Sequence, residues 1–332
     1  MALNQRAEAS ARHQSSCAIL LAGQMRSLAE PDTLRALRRH VLDATNSSVF
    51  AHLNIEDNSS PSWAAHMIDH SNRSDLGVHA SRVHAVRRSL NPIYMRIEPD
   101  WFVVQHPRWV GSLRGQPGEQ DILFFRWLIL REAMEAEETA RGRKFKLVLR
   151  LRPDTVPLCE LPRDLASWGA DALISDDIAV LMRREVASVA LDIYSHAEAL
   201  PACRLKFELC VPALLESEGF SVFDLRPTST CGGAFAIVRS QSFCDDPASL
   251  SYPPNMRCGR TQLSRVLLAK EPLPRCGDVL KPRRWAQDEL VTHYMQQRKW
   301  TQAMLRQPAQ ELPFSKYCRS CRYTNATRPM LS

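Results

Sequence analysis

Two guanidiniums and a carboxylate fall on alternate positions of one short run. In Phe145-Lys146-Leu147-Val148-Leu149-Arg150-Leu151-Arg152-Pro153-Asp154, an extended backbone sends Phe145, Leu147, Leu149 and Leu151 to one face and Lys146, Val148, Arg150 and Arg152 to the other. The first face is wholly apolar, so the run reads as a buried strand. Burying two arginines at its end is costly unless each finds an acid or an anionic ligand. Pro153 stops the strand, and Asp154 falls just past its carboxyl end, where open α/β sheets bind ligands. Two chemistries fit the spacing: a site that grips an anion through bidentate arginine contacts, or an internal Arg–Asp ion pair that fixes the loop.

Other reactive types are less organised. His52, His66, His70, His79 and His84 are scattered; His66 and His70 are four apart, but no Glu stands between them as in HExxH, and a solvated helix face accounts for them. No Ser-centred nucleophile elbow and no Walker loop occurs. The ten cysteines fit thiols or disulfides, and the one close pair, Cys318-Arg319-Ser320-Cys321, lacks the second pair that a four-ligand zinc site needs. Asn-x-Ser/Thr sequons at Asn46, Asn58, Asn72 and Asn325 matter only if the chain enters the secretory pathway.

The elements that must position Arg150 to Asp154 follow a parallel-sheet rhythm. Cys17 to Ala22 reads as a buried strand with Gly23-Gln24-Met25-Arg26 as its exit loop. Pro31 and Asp32 open a helix with Leu34, Leu37 and Val41 on one face, and Ser48 to Leu53 is the next strand. Trp63 to Leu90 has a helical pattern stopped by Pro92, and Tyr94 to Ile97 and Trp101 to Gln105 read as short strands before a loop from His106 to Gly118. Gln120 to Arg141 is an amphipathic helix, with Ile122, Phe125, Ile129 and Ala133 on the buried stripe and Glu132, Glu135 and Glu138 on a wetter one. Strands are expected at Phe145 to Arg152, Ala172 to Ser175, Val222-Phe223 and Ala234 to Val238, with a helix before each of the first two. A helix over Leu205 to Glu218 ends at Gly219, and another follows over Trp285 to Leu305. Ser240 to Arg283 has no assignable pattern.

The expectation is one α/β domain: a polar tail over 1–16, a mostly parallel sheet flanked by helices over 17–306, and a Cys-containing tail over 307–332. A net charge of +7 and a pI near 9.0 favour anionic partners in general, sugar nucleotides, phosphates, nucleic acid and acidic membrane surfaces alike, without choosing among them. The arginines are dispersed and not gathered into a stripe with aromatics, which argues against nucleic acid. No stretch reaches the roughly 20 apolar residues of a membrane helix. Cys17 to Ala22 is too short for the core of a signal peptide, so a cytoplasmic location is the default expectation. A Golgi or secretory location stays open if the N-terminus is incomplete.

Four segments in order resemble a family of nucleotide-sugar glycosyltransferase-like proteins with the GT-A fold. Ala18-Ile19-Leu20-Leu21-Ala22-Gly23-Gln24-Met25-Arg26-Ser27 is similar to the family's opening "G-Q-x-R" strand and loop, and Val49-Phe50-Ala51-His52-Leu53 to its "V-F-x-H-L" strand. Phe145 to Asp154 resembles "Y-D-x-V-x-R-x-R-P-D". Ala172-Leu173-Ile174-Ser175-Asp176-Asp177 with Ala179 and Met182 resembles "I-S-D-x-x-A-x-M". Together they cover about residues 17 to 240. The resemblance implies a GT-A-like, Rossmann-like sheet, a nucleoside-diphosphate sugar as donor, a glycan or small-molecule acceptor, and a divalent cation, Mn²⁺ or Mg²⁺, held with the help of Asp154.

Two departures bear on that chemistry. Arg152-Pro153-Asp154 replaces the usual Asp-x-Asp, leaving one carboxylate, and Lys146 stands where the pattern has Asp. One carboxylate with donor phosphates suffices for a hard cation that keeps its waters, or Arg150 and Arg152 supply the positive charge themselves. Gly23, Gln24 and Arg26 are then expected at the nucleotide, against a tight turn with a surface arginine. Asp176 and Asp177 are candidates for donor or acceptor contacts and for the base, against a turn or cap. Glu208 is a further candidate, against a helix-surface carboxylate. The competing reading is a non-catalytic nucleotide- or glycan-binding protein of the same fold.

Overall fold

The computed structural model describes residues 16–54, 76–98, 100–103, 105–109, 118–175, 178–196, 209–225, 234–237, 273–276 and 283–285 of the 332. In chain order these form β1 (Cys17–Gln24), a 3-10 turn (Arg26–Ala29), α1 (Pro31–Leu37) with a π-helical continuation (Arg38–Asp43), β2 (Ser47–Asn54), α2 (Leu76–Leu90) and β3 (Tyr94–Ile97). Then come α3 (Asp100–Val103), α4 (Gly118–Arg141), β4 (Leu147–Leu151), β5 (Thr155–Pro157), a 3-10 turn (Ala166–Trp168), β6 (Ala172–Ser175) and β7 (Ala179–Arg183). They end with α5 (Arg184–Ala190), α6 (Ile193–His196), α7 (Cys210–Ser217), β8 (Val222–Asp224), β9 (Phe235–Ile237) and β10 (Arg283–Arg284).

Eight strands make one sheet in the order β3-β2-β1-β4-β7-β6-β8-β10, and β5 and β9 form a separate antiparallel pair. β1 runs parallel to β2 and β4, β2 to β3, and β6 to β8. β7 is antiparallel to both β4 and β6, and β10 to β8. The period-2 alternation divides the core in two. Ala18, Leu20, Ala22, Phe50 and Val148 pack with Phe124, Leu128, Val186 and Leu214 from α4, α5 and α7. Ile19, Leu21, Val49, Ala51, Leu149 and Leu151 pack on the opposite face with Leu34, Leu37, Val86 and Leu90 from α1 and α2. A sheet covered by helices on both faces, with strands apolar on both sides at their centres, is the α/β arrangement that the sequence pattern anticipates.

Several expectations are corrected. Of the strand expected over Trp101 to Gln105, the described residues 101–103 and 105 are not extended; Asp100–Val103 is a helical turn. No α-helix precedes β6 in the described chain. It follows a 3-10 turn and doubles back into β7, a strand the pattern reading missed, so the alternating helix–strand rhythm breaks there. Glu138 is not on a wet face: it is 6% exposed, and its carboxylate receives Nε and Nη2 of Arg184, each at 2.7 Å, and the Phe145 N–H at 2.9 Å. Burial acts to lower the pKa of Arg184, but Glu138 and Glu135 outweigh it and hold the guanidinium above its ordinary value. This pair ties the last turns of α4 to the first residue of α5 and to the entry of β4.

Of the helix expected over Leu205 to Glu218, residues 205–208 lie outside the described residues; the rest contains α7 and ends as expected: Gly219, at φ +81°, turns the chain left-handed, and the Phe220 N–H closes on the Leu215 carbonyl at 2.9 Å. Of the helix expected over Trp63 to Leu90, Leu76–Leu90 is described. The rest of that call, the Cys318–Cys321 pair and all of the Trp285 to Leu305 helix but Trp285 lie outside the described residues.

Candidate functional site

β1 has β2 on one side and β4 on the other, so the chain leaves this point of the sheet in opposite directions. Such a switch point opens a crevice beyond the carboxyl ends of the two strands. The two segments there are Gly23-Gln24-Met25 and Arg152-Pro153-Asp154. Gly23 stands at φ +118°, a conformation that side chains disfavour, and a Cβ built on it would lie 3.8 Å from Pro153 Cδ and 3.7 Å from Leu123 Cδ1 of α4. The backbone of the first loop therefore runs against the Arg-Pro-Asp turn. Its far side is fixed by the Met25 N–H, which donates to Asn54 O at 2.7 Å, and Arg152 N–H anchors the turn to Ile178 O at 2.9 Å.

Strand register stacks the polar side chains on the α4 face in rungs. Arg150 is level with Leu20, and Leu20 with Phe50 and Tyr94. One rung further, Ala22 pairs with His52 and His52 with Arg96. Beyond that, Gln24 pairs with Asn54. Arg150 is 1% exposed, its guanidinium carbon 4.2 Å from the centre of the Trp127 ring. Arg152, 17% exposed at its side chain, donates Nε to Asp154 Oδ1 at 3.1 Å and Nη2 to Oδ2 at 3.2 Å, a two-pronged contact. Asp154 is 1% exposed, and Pro153 and Thr155 beside it are buried.

The ion-pair reading of the spacing is thus present in the molecule. It is compatible with an anion site at Arg152, because a buried carboxylate orients the guanidinium, whose planar fork matches phosphate oxygens. For a cation, the described part of the turn offers the single carboxylate of Asp154. Each Asp154 oxygen already accepts an N–H from Arg152, and no group of three or more His, Cys, Asp or Glu that could hold a metal ion occurs among the described residues.

At the ends of β2 and β3, on the other side of β1 from this turn, lies a buried group that the sequence reading did not single out. Glu98, just past β3, accepts from Arg96 Nε and lies 3.1 Å from His52 Nε2, and its carbonyl receives Arg126 Nη2 at 2.8 Å. The carboxylate would favour an imidazolium, but burial and then the charges of Arg126 and Arg96 drive the pKa of His52 from 6.5 down to about 2. His52 is neutral and donates from Nε2. Two signals could have found the group. Glu98 is an acid one residue past a strand, as Asp154 nearly is, and Arg126 interrupts the apolar run Phe124 to Leu130, where a cation must be buried. Arg96 also borders a cavity of about 540 Å³ between β3 and α4, lined further by Tyr94, His106, Arg108 and Glu132.

Of the residues expected at the site, Gly23, Gln24, Arg152 and Asp154 lie at the carboxyl ends of β1 and β4, and Arg150 lies further in, level with Leu20 and against Trp127. Arg26 begins the 3-10 turn after β1, and its side chain is outside the described residues. Asp176, Asp177 and Glu208 also lie outside them; the flanking chain pairs Ser175 with Ala179.

No protein-family model matches the chain, and no curated protein sequence does. Among solved structures, the apo crystal structure of mouse xyloside xylosyltransferase 1 is similar at a TM-score of 0.30 and 11% identity, over 73% of this chain and 93% of that one. A likeness at this level assigns no function.

Proposed function

We propose that the chain is a glycosyltransferase-like protein that takes a nucleoside-diphosphate sugar in the crevice between β1 and β4 and transfers the sugar to an acceptor hydroxyl. The observation that carries this reading is the packing of Gly23 against Pro153. Two loops about 130 residues apart in the chain meet at the switch point, one offering close backbone approach and the other an oriented guanidinium. Arg152 would meet the diphosphate and offset the charge that develops on it as the sugar leaves, and Asp154 would hold Arg152 in place. Gln24 and Arg26 would contact the nucleotide. Arg150, stacked on Trp127, would support the strand end from below.

A base within reach of the acceptor hydroxyl is required. Asp176, Asp177 and Glu208 are the candidates. Mn²⁺ or Mg²⁺ would be held by Asp154 together with oxygens from the donor or from those acids. Without a metal, Arg152 and Arg150 would supply the positive charge themselves.

The assay follows nucleoside diphosphate release from UDP-, GDP- and CDP-sugars, with and without Mn²⁺ and an acceptor mixture, in the wild type and in Asp176→Asn, Asp177→Asn and Glu208→Gln. Release that needs acceptor and disappears in one acid variant supports transfer. Donor binding without release in any combination supports the second reading, a non-catalytic nucleotide- or glycan-binding protein, which Lys146 and the single carboxylate at Asp154 favour.

A further inference from the structure

We infer that Asn46 is a site of N-linked glycosylation and that this chain folds in an oxidising, glycosylating compartment. Three observations, none depending on the glycosyltransferase reading, converge. Cys159 and Cys276, 117 residues apart, are joined in a disulfide buried in the core beneath the sheet. Cys210 is disulfide-bonded as well, so of the four described cysteines only Cys17 is a thiol. Bridges of this kind persist where thiols are not kept reduced.

The asparagines point the same way. Four of the eight in the chain, Asn46, Asn58, Asn72 and Asn325, have Ser or Thr two residues on. With Ser and Thr at 40 of 332 positions, about one would be expected by chance. Of these four, Asn46 is described. It is exposed, on a left-handed turn (φ +46°) between the π-helical segment and β2. It leads into the amino end of β2, whereas the crevice lies past the carboxyl ends of β1 and β4, about 25 Å away along an eight-residue strand. A glycan there leaves the crevice open.

Ser48 supplies the third observation. Its side chain is 95% buried at the start of β2, and its hydroxyl has no hydrogen-bond partner among the described residues. Such a hydroxyl costs folding free energy, so the fold itself would be better served by alanine. Recognition of Asn46-Ser47-Ser48 before the strand forms requires it. In that step Asn46 Nδ2 bonds to the anomeric carbon of an oligosaccharide carried on a polyprenyl diphosphate. The bond from that carbon to the phosphate oxygen breaks, the diphosphate leaves with the electron pair, and the amide gives up one proton.

The test directs the full chain, behind a cleavable leader, into the secretory pathway of insect cells, and reads the Asn46 peptide by mass spectrometry before and after amidase deglycosylation. The wild type is expected to carry glycan at Asn46, and Ser48→Ala to lose it while melting no lower than the deglycosylated wild type. An unmodified Asn46 peptide in the wild type, or a glycan retained at Asn46 in Ser48→Ala, overturns the inference. So does a chain that accumulates folded only in the cytosol, with Cys159 and Cys276 as thiols.

Discussion

Replacing Glu138 by Gln would leave the Arg184 guanidinium buried with a neutral partner, and losing one member of such a pair costs about 3–5 kcal/mol. Glu135, 41% exposed and 3.3 Å from the same arginine, should matter little when changed to Gln, on the order of 0.5 kcal/mol. Urea unfolding of the two variants checks this, and equal losses would remove the distinction. His52 gives a pH signature. Its folded pKa lies far below the 6.5 of the unfolded chain, so between the two values the unfolded state binds more protons and stability falls as the pH drops below about 6.5. Between about pH 7 and about pH 5 the wild type should lose roughly 2 kcal/mol more than His52→Gln. Parallel curves would mean that His52 takes up a proton in the fold as readily as in the open chain.

At the level of strands and loops, Gly23→Ala separates backbone strain from crowding. A Cβ there meets Pro153 and Leu123 at ordinary contact distance, so the cost should come from φ +118° alone, about 1–3 kcal/mol by thermal or urea unfolding. A larger loss would indicate that the two loops cannot part. β1, β2, β4 and β6 and both faces of β4 were legible in the sequence because period-2 apolar patterning and burial on two faces are local properties. β7 was not, because its antiparallel insertion between β4 and β6 is decided by tertiary pairing. The Arg152–Asp154 fork was anticipated as one of two alternatives. The Glu98–His52–Arg126 group was not, since it joins residues from β2, the end of β3 and α4 that no short motif links.

Across the molecule, the Cys159–Cys276 bridge ties the chain after β5 to a segment 117 residues later. Closing a loop of that length should stabilise the fold by about 4–5 kcal/mol if the open chain's entropy dominates. Cys276→Ser, or reduction of the wild type, should lower the melting temperature accordingly, and an unchanged melt would show that packing alone holds the segment. The placement of the crevice at the opposite end of β2 from Asn46 leaves ligand binding and modification independent, so glycosylated and deglycosylated protein should bind nucleotide alike.

The crevice itself is best tested by thermal shift of the wild type and Arg152→Lys against UDP, GDP, CDP and their sugar conjugates, each with and without Mn²⁺. The account predicts a rise in melting temperature with one nucleotide family, present without added cation and reduced in Arg152→Lys, whose ammonium keeps the charge but not the fork. No shift with any nucleotide in folded wild-type protein, or an equal shift in the variant, would contradict a diphosphate site at the junction of β1 and β4.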